Sequence, residues 1–331
     1  MRLRRAIGRS GPLAAVALVA SLLGGVASAG TTPFATQPYL MAVLACRVAQ
    51  CPNPATHHVY LVQSRDGLHW APIPEWRSFP GSVPDLVRRG GTIYLYALTP
   101  GGPGGGLTLI RVNEANGVPS PPVTVKIKGL HGNLVDPSIL LDPSGRLMLS
   151  GLVVTGVGYD PAGCPPPATS CQKVVDSATE VPGSNGAVFR LDPGSRVTVD
   201  ISPAQPIASD PSLFSAGRQW VMEVSEGPSV VAYSSSALRG PYGYVGQPSQ
   251  NSGGVPSGYY DSTTHQYWTY VSFGPPNGPS VIRRAVSATL TAPIPDAQWT
   301  TVLTAATLGL GTGWSVQSPG FALNRATPPN P

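Results

Sequence analysis

Five segments of this chain are built alike, each with a proline near the start of a short apolar run. In four of them a polar turn and a second apolar run follow. Val83-Pro84-Asp85-Leu86-Val87 leads through Arg88-Arg89-Gly90-Gly91 to Thr92-Ile93-Tyr94-Leu95-Tyr96. Asp136-Pro137-Ser138-Ile139-Leu140 leads to Leu147-Met148-Leu149, and Asp210-Pro211-Ser212-Leu213-Phe214 to Gln219-Trp220-Val221-Met222. Val255-Pro256-Ser257-Gly258-Tyr259 leads to Tyr267-Trp268-Thr269-Tyr270-Val271. The fifth copy, Ser318-Pro319-Gly320-Phe321-Ala322-Leu323, has no strand after it, whereas Tyr39-Leu40-Met41-Ala42-Val43-Leu44 has no proline-led strand before it.

The two orphans complement each other. Pairing the C-terminal strand with the N-terminal one closes a ring and removes sheet edges that would otherwise aggregate. The prolines are spaced 53, 74, 45 and 63 residues apart, which suits four short strands and their loops per unit. Third strands are expected at His58–Val62, Leu107–Arg111, Ala187–Arg190, Ser229–Tyr233 and Ser280–Arg283, all rich in β-branched and aromatic residues. The 39 glycines and 38 prolines argue against a helical fold, since each disfavours a helix interior. The expectation is an all-β, five-bladed β-propeller over residues 30–325, followed by a frayed tail at 326–331. An unclosed β-sandwich does not explain the stranded fifth start.

In such a ring the inner strands begin on one face, and the hairpins joining second to third strands return to it. That face gathers Asp85, Asp136 and Asp210 with the hairpins around Cys46 and Cys51, 101–106, Cys164 and Cys171, Glu226 and 275–279. Function concentrates in loops of this kind on a rigid scaffold. The longest insertion, residues 156–185, is expected there as a disulfide-stiffened lip.

Residues 1–29 read as a secretory signal peptide: Arg2, Arg4, Arg5 and Arg9, an apolar run over 12–27, then Ala27-Ser28-Ala29 as a cleavage site. A membrane anchor is the alternative, but Gly24 and Gly25 interrupt a run already short of a comfortable span. Cleavage removes four arginines and no acid, taking the net charge from +5 to +1. The mature chain then lacks the clustered cations that nucleic-acid binding requires. A secreted, extracellular or periplasmic setting favours local disulfides Cys46–Cys51 and Cys164–Cys171. Zinc is the alternative, but neither pair is CxxC and only His57 and His58 lie near one.

The segments VPDLVRRGGTIYLYAL, DPSILLDPSGRLML, SDPSLFSAGRQWVMEVS and VPSGYYDSTTHQYWTYVS resemble the five-bladed β-propeller glycoside hydrolases, the arabinanase, β-xylosidase, levansucrase and invertase group. QSRDGLHW also resembles the Asp-box hairpin of sialidase-like propellers, with Ser64, Asp66 and Trp70 in a shortened version that is read as a turn device. The resemblance implies a carbohydrate partner and acids with different pKa values flanking a glycosidic bond. Blade for blade, Asp136 falls where that group has its pKa-tuning Asp and Asp210 where its general acid stands. Ser318 takes the place of its base Asp. Loss of that carboxylate makes a non-catalytic, glycan- or protein-binding propeller the rival reading.

Asp85 and Glu226 are the further catalytic candidates, and Glu223 lies on a second strand with its direction open. Each inner-strand Asp has a simpler role open to it, as a turn or strand-start cap. His131, Asn133, Tyr259 and Trp314 are the candidates for sugar contact, whereas Trp220 and Trp268 read as packing between blades. The resemblance also allows an axial calcium, which nothing in the spacing demands. No metal site, GxSxG, HExxH, Walker loop or Rossmann fingerprint is present, no cofactor is required, and a monomer is expected.

Overall fold

In the computed structural model the described residues are 34–99, 106–154, 163–164, 167–275 and 278–323. The signal segment, the tail and most of the Gly-rich hairpin at 101–106 lie outside them. Five sheets, antiparallel except for the parallel pairing of Lys126–Lys128 with Val188–Leu191 in blade 3, follow one another along the chain as the blades of a propeller. Blade 1 takes its inner strand, Trp314–Leu323, from the C-terminus and continues with Tyr39–Arg47, His58–Ser64 and Trp70–Pro72. The inner strands of blades 2 to 5 are Ser82–Arg89, Asn133–Leu141, Ser209–Ala216 and Gly254–Asp261.

The ring closes where the orphan segments meet. Tyr39–Arg47 pairs antiparallel with Trp314–Leu323, from Tyr39 opposite Leu323 to Arg47 opposite Trp314, with a bulge between Ala42 and Leu44. Tyr39–Arg47 is buried on both faces, which is why it reads as an unbroken apolar run. Leu40 and Ala42 pack toward blade 2 with Leu86, Ile93 and Leu95. Met41, Val43 and Ala45 pack toward blade 5 with Trp268, Tyr270 and Ile282. Similar apolar wedges fill the gaps between blades 2 and 3, 3 and 4, and 4 and 5.

Blade 3 departs from expectation. Its third strand is Cys171–Glu180, and Ala187–Arg190 falls instead on the fourth, Val188–Leu191. The expected insertion is therefore half strand, and residues 155–162, 165 and 166 lie outside the described part. Disulfides join Cys46 to Cys51 and Cys164 to Cys171. In the Asp-box-like turn, Asp66 Oδ1 accepts the amides of Leu68 and His69 at 2.9 and 2.8 Å, while the Trp70 indole donates to the Gly67 carbonyl. Burial alone would raise the Asp66 carboxyl, but hydrogen bonds from His69, Leu68 and Ser64 outweigh it and hold it well below the usual range. A structural assignment accounts for all of these contacts.

Around the axis each inner strand repeats one device. The residue before the proline has a left-handed backbone: φ is 45° at Val83, 51° at Asp136, 47° at Asp210, 53° at Val255 and 49° at Ser318. A bulge accompanies each of these positions in blades 2 to 5. The residue after the proline then reaches across to the next blade. Ser138, Ser212 and Ser257 accept the amides of Leu213, Gly258 and Phe321 at 3.0, 3.0 and 3.1 Å. Asp85 Oδ2 accepts that of Ile139 at 2.8 Å.

The fifth position is Gly320, which has no side chain to offer Leu86. Asp85 fills the gap, accepting the Leu86 amide on Oδ1 at 2.8 Å. One carboxylate thus satisfies two buried donors, and Gly320 makes room for it. A Cβ on Gly320 would come within 2.5 Å of the Pro84 carbonyl oxygen and 2.7 Å of Asp85 Oδ1. Gly320→Ala is expected to destabilise the fold by about 1–3 kcal/mol through overpacking, read by chemical denaturation. An unchanged midpoint would mean that the seam is looser than described.

Candidate functional site

The five left-handed positions and their prolines meet at the axis, where they surround a void of about 20 Å³ with Asp85, Ser138, Ser212 and Ser257. That is room for about one water molecule, against the ~300–1,000 Å³ of small-molecule sites. The left-handed backbone aims the side chains of Val83, Asp136, Asp210, Val255 and Ser318 into this hub. Its polarity is lopsided. Asp136 and Asp210 lie on adjacent blades, with the Asp210 amide donating to Asp136 Oδ2 at 3.3 Å. Ser318, 6% exposed, takes the corresponding place on blade 1, its amide bonded to Ser272 Oγ at 2.8 Å.

Electrostatics separates these acids by environment. Burial pushes the Asp210 carboxyl up to about 6, only partly offset by the Ser209 side chain. Burial likewise pushes Asp85 up to about 7, against the hydrogen bonds from Ile139, Leu86 and Ser138. Glu223 is fully buried and lies outside the hub, in the wedge between blades 4 and 5, where burial drives it up to about 8. Its Oε1 accepts the Thr269 hydroxyl at 2.8 Å, and Oε2 has no partner among the described residues. A protonated carboxylic acid is the form this apolar wedge accommodates.

Of the residues singled out from sequence, Asp85, Asp136 and Asp210 reach the hub together. Glu226 ends the second strand of blade 4 on the same face, half-buried and raised by burial, but does not line the void. His131 is exposed in the loop before the inner strand of blade 3, which Asn133 begins opposite Val154. Trp314 begins the inner strand of blade 1 under the Arg47 guanidinium, 5.3 Å from its ring centre. Tyr259 is set apart from the hub, packed in an aromatic cluster with Trp268, Phe321 and Tyr39 at centroid distances of 5.0, 5.2 and 6.2 Å. Sequence reasoning passed over Ser138, Ser212 and Ser257, although each follows its proline in the same place.

An axial calcium would need carboxylate oxygens that this hub already spends: Asp85 commits both to backbone amides and Asp136 turns Oδ2 to the Asp210 amide, so two of the three hub acids face N–H groups instead of a shared cation. Among the described residues no group of three His, Cys, Asp or Glu side chains could hold a metal ion. No helix among them is long and apolar enough to cross a membrane.

No protein-family model matches the chain, and no curated protein sequence matches it either. Solved structures do. An endo-arabinase from Bacteroides thetaiotaomicron superposes with a TM-score of 0.51 at 15% identity, over 78% of this chain and 96% of that one. That likeness is one of fold, the five-bladed β-propeller. An exo-1,5-alpha-L-arabinanase from a bovine ruminal metagenomic library gives a TM-score of 0.45 at 15% identity, over 77% and 94% of the two chains. A xylan beta-1,4-xylosidase from Bacillus halodurans gives 0.46 at 16% identity, over 69% of this chain. The match spans about half of that xylosidase, 47% of its length.

The raised acids give a test of the buried electrostatics. Asp85 and Glu223 have folded-state values above the ~3.9 and ~4.3 of unfolded chains, so each contributes stability that is complete at about pH 4 and fades as pH rises toward 7 and 8. Unfolding free energy measured in urea is expected to fall over that interval. Glu223→Gln should flatten the decline by about 1–4 kcal/mol. Parallel profiles for variant and wild type would show that Glu223 is already ionised in the fold.

Proposed function

We propose that this chain is an exported carbohydrate-active propeller of glycoside hydrolase type, whose axial face engages a plant or microbial polysaccharide or oligosaccharide. The observation that carries this reading is the Asp136–Asp210 pair, held on neighbouring inner strands by left-handed backbone at the hub of a hydrolase-type propeller. Export is supported by the leader-like residues 1–29 and by the two disulfides. A sugar is too large for the hub void and would lie across its rim, hydroxyls toward the acids. Asp210, protonated below about pH 6, is the proton donor to a leaving oxygen, and Asp136 orients and tunes it.

Two observations favour binding without cleavage as the second reading. Ser318 supplies no carboxylate on the side of the hub where a base would complete the pair. The void of about 20 Å³ leaves no seat for a distorted ring beside an attacking water.

One set of measurements separates the readings: calorimetric binding and product release with arabinan, xylan and fructan oligosaccharides. Hydrolysis predicts turnover that falls above about pH 6 and drops at least ~100-fold in both Asp136→Asn and Asp210→Asn. Binding alone predicts saturable affinity weakened in Asp136→Asn, with no product. Neither binding nor turnover across the panel would overturn the carbohydrate reading.

A further inference from the structure

The third strand of blade 3 changes partner along its length. Cys171 to Val175 pairs with Val197–Ile201, whereas Ala178 to Glu180 pairs with Val188–Leu191. Asp176 stands at the changeover. The chain joining the two partners arches over this notch, anchored at both feet. The Asp192 amide donates to the Ser177 carbonyl and the Arg196 amide to that of Val175, each at 2.8 Å. Under the arch lies a cleft of about 530 Å³ lined by Lys128, Asp176, Arg190 and the turn 192–195. Its size is that of a small-molecule site.

Hydrogen bonds brace the turn, and the two cations of the lining, Lys128 and Arg190, form no ion pair with its two acids, Asp176 and Asp192, of which Asp192 pairs with Arg239. Arg196, 3% exposed, holds the turn from below by donating to the carbonyls of Pro193, at 2.6 Å, and Gly194. The Ser177 and Thr179 hydroxyls fix the Asp192 carboxylate, at 2.8 Å each. On the opposite wall Lys128 and Arg190 are direct register partners on parallel strands. Both are exposed, whereas the preceding pair, Phe189, buried, opposite Ile127, half-buried, turns toward the core. Neighbouring strands run about 4.8 Å apart, so two like charges stand side by side. Such a pair is unfavourable without a counter-charge, and neither has an ion-pair partner among the described residues. Asp176 Oδ1 is buried and accepts no hydrogen bond among those residues.

We infer that this notch binds a sugar-sized hydroxylated carboxylate, a hexuronate. Its carboxylate lies between Lys128 and Arg190, and one of its hydroxyls donates to the Asp176 carboxylate through Oδ2, the oxygen that is not buried. A bare inorganic anion satisfies the cations but brings no donor for Asp176, whose own charge opposes it. A neutral sugar supplies the donor and leaves the cations unpaired. The cleft belongs to the outer strands of blade 3, so this inference stands apart from the reading of the hub.

Titration of the full chain with D-glucuronate, followed by calorimetry or amide chemical shifts, tests it, with glucose and sulfate as controls. Saturable glucuronate binding is expected at concentrations where glucose and sulfate give none. The double variant Lys128→Gln/Arg190→Gln should weaken it about tenfold or more, consistent with loss of charge-assisted hydrogen bonds. Asp136→Asn/Asp210→Asn should leave it unchanged, which separates this site from the hub. Absence of saturable glucuronate binding, equal binding of sulfate, or undiminished binding in the folded Lys128/Arg190 variant would each overturn the inference. Both substituted positions are exposed, so the fold survives the test.

Discussion

Antiparallel pairing of Trp314–Leu323 with Tyr39–Arg47 turns five consecutive sheets into a ring. Blades 2 to 5 are each made from one stretch of chain, whereas blade 1 needs both ends. Without the closure, Tyr39–Arg47 would be a long, apolar open edge of the kind that recruits other chains. Two apolar wedges would lose a wall as well, because Ala322 belongs to the one toward blade 2 and Val316 to the one toward blade 5. Hub geometry follows from the same event, since Ser318 and Gly320 complete the circle only once the last strand is seated.

At the hub, local backbone preference yields to the tertiary structure. A residue before proline favours extended backbone, and a positive φ is costly outside glycine, most of all for β-branched Val83 and Val255. Strain of this kind is of order 1–3 kcal/mol per residue and persists only where the surroundings over-determine it. Here they do. The bulges, the fixed proline rings and the inter-blade hydrogen bonds through Asp85, Ser138, Ser212 and Ser257 constrain every copy. Asp tolerates this conformation better than most residues, so two of the five strained positions can carry acids at modest cost.

The architecture was legible because its signals are redundant: five proline-led starts, two complementary orphans and unbroken apolar runs agree with one topology. The third strand of blade 3 escaped notice for a physical reason. Cys171–Glu180 breaks alternation with the like pairs Gln172-Lys173, Val174-Val175 and Asp176-Ser177 behind a Pro- and Cys-rich stretch, so it reads as insertion, and its ladder to Leu147–Val154 identifies it. The candidate site was half legible. Asp85, Asp136 and Asp210 were grouped correctly by position, but the dual use of Asp85 depends on the missing side chain at Gly320, some 235 residues away in sequence. Tyr259 shows the converse. Its place on an inner strand suggested an open platform, whereas side-chain direction commits it to the aromatic cluster between blades 5 and 1.

Native-state hydrogen exchange of the hub and closure amides tests the central claim most directly. If the ring is one cooperative unit, the amides of Ile139, Leu213, Gly258 and Phe321 exchange only through global unfolding, with the same free energy as the ladder between Tyr39–Arg47 and Trp314–Leu323. A markedly lower opening free energy for Phe321 and that ladder than for the other hub amides would contradict the account, showing that the seam opens by itself while the blades remain folded.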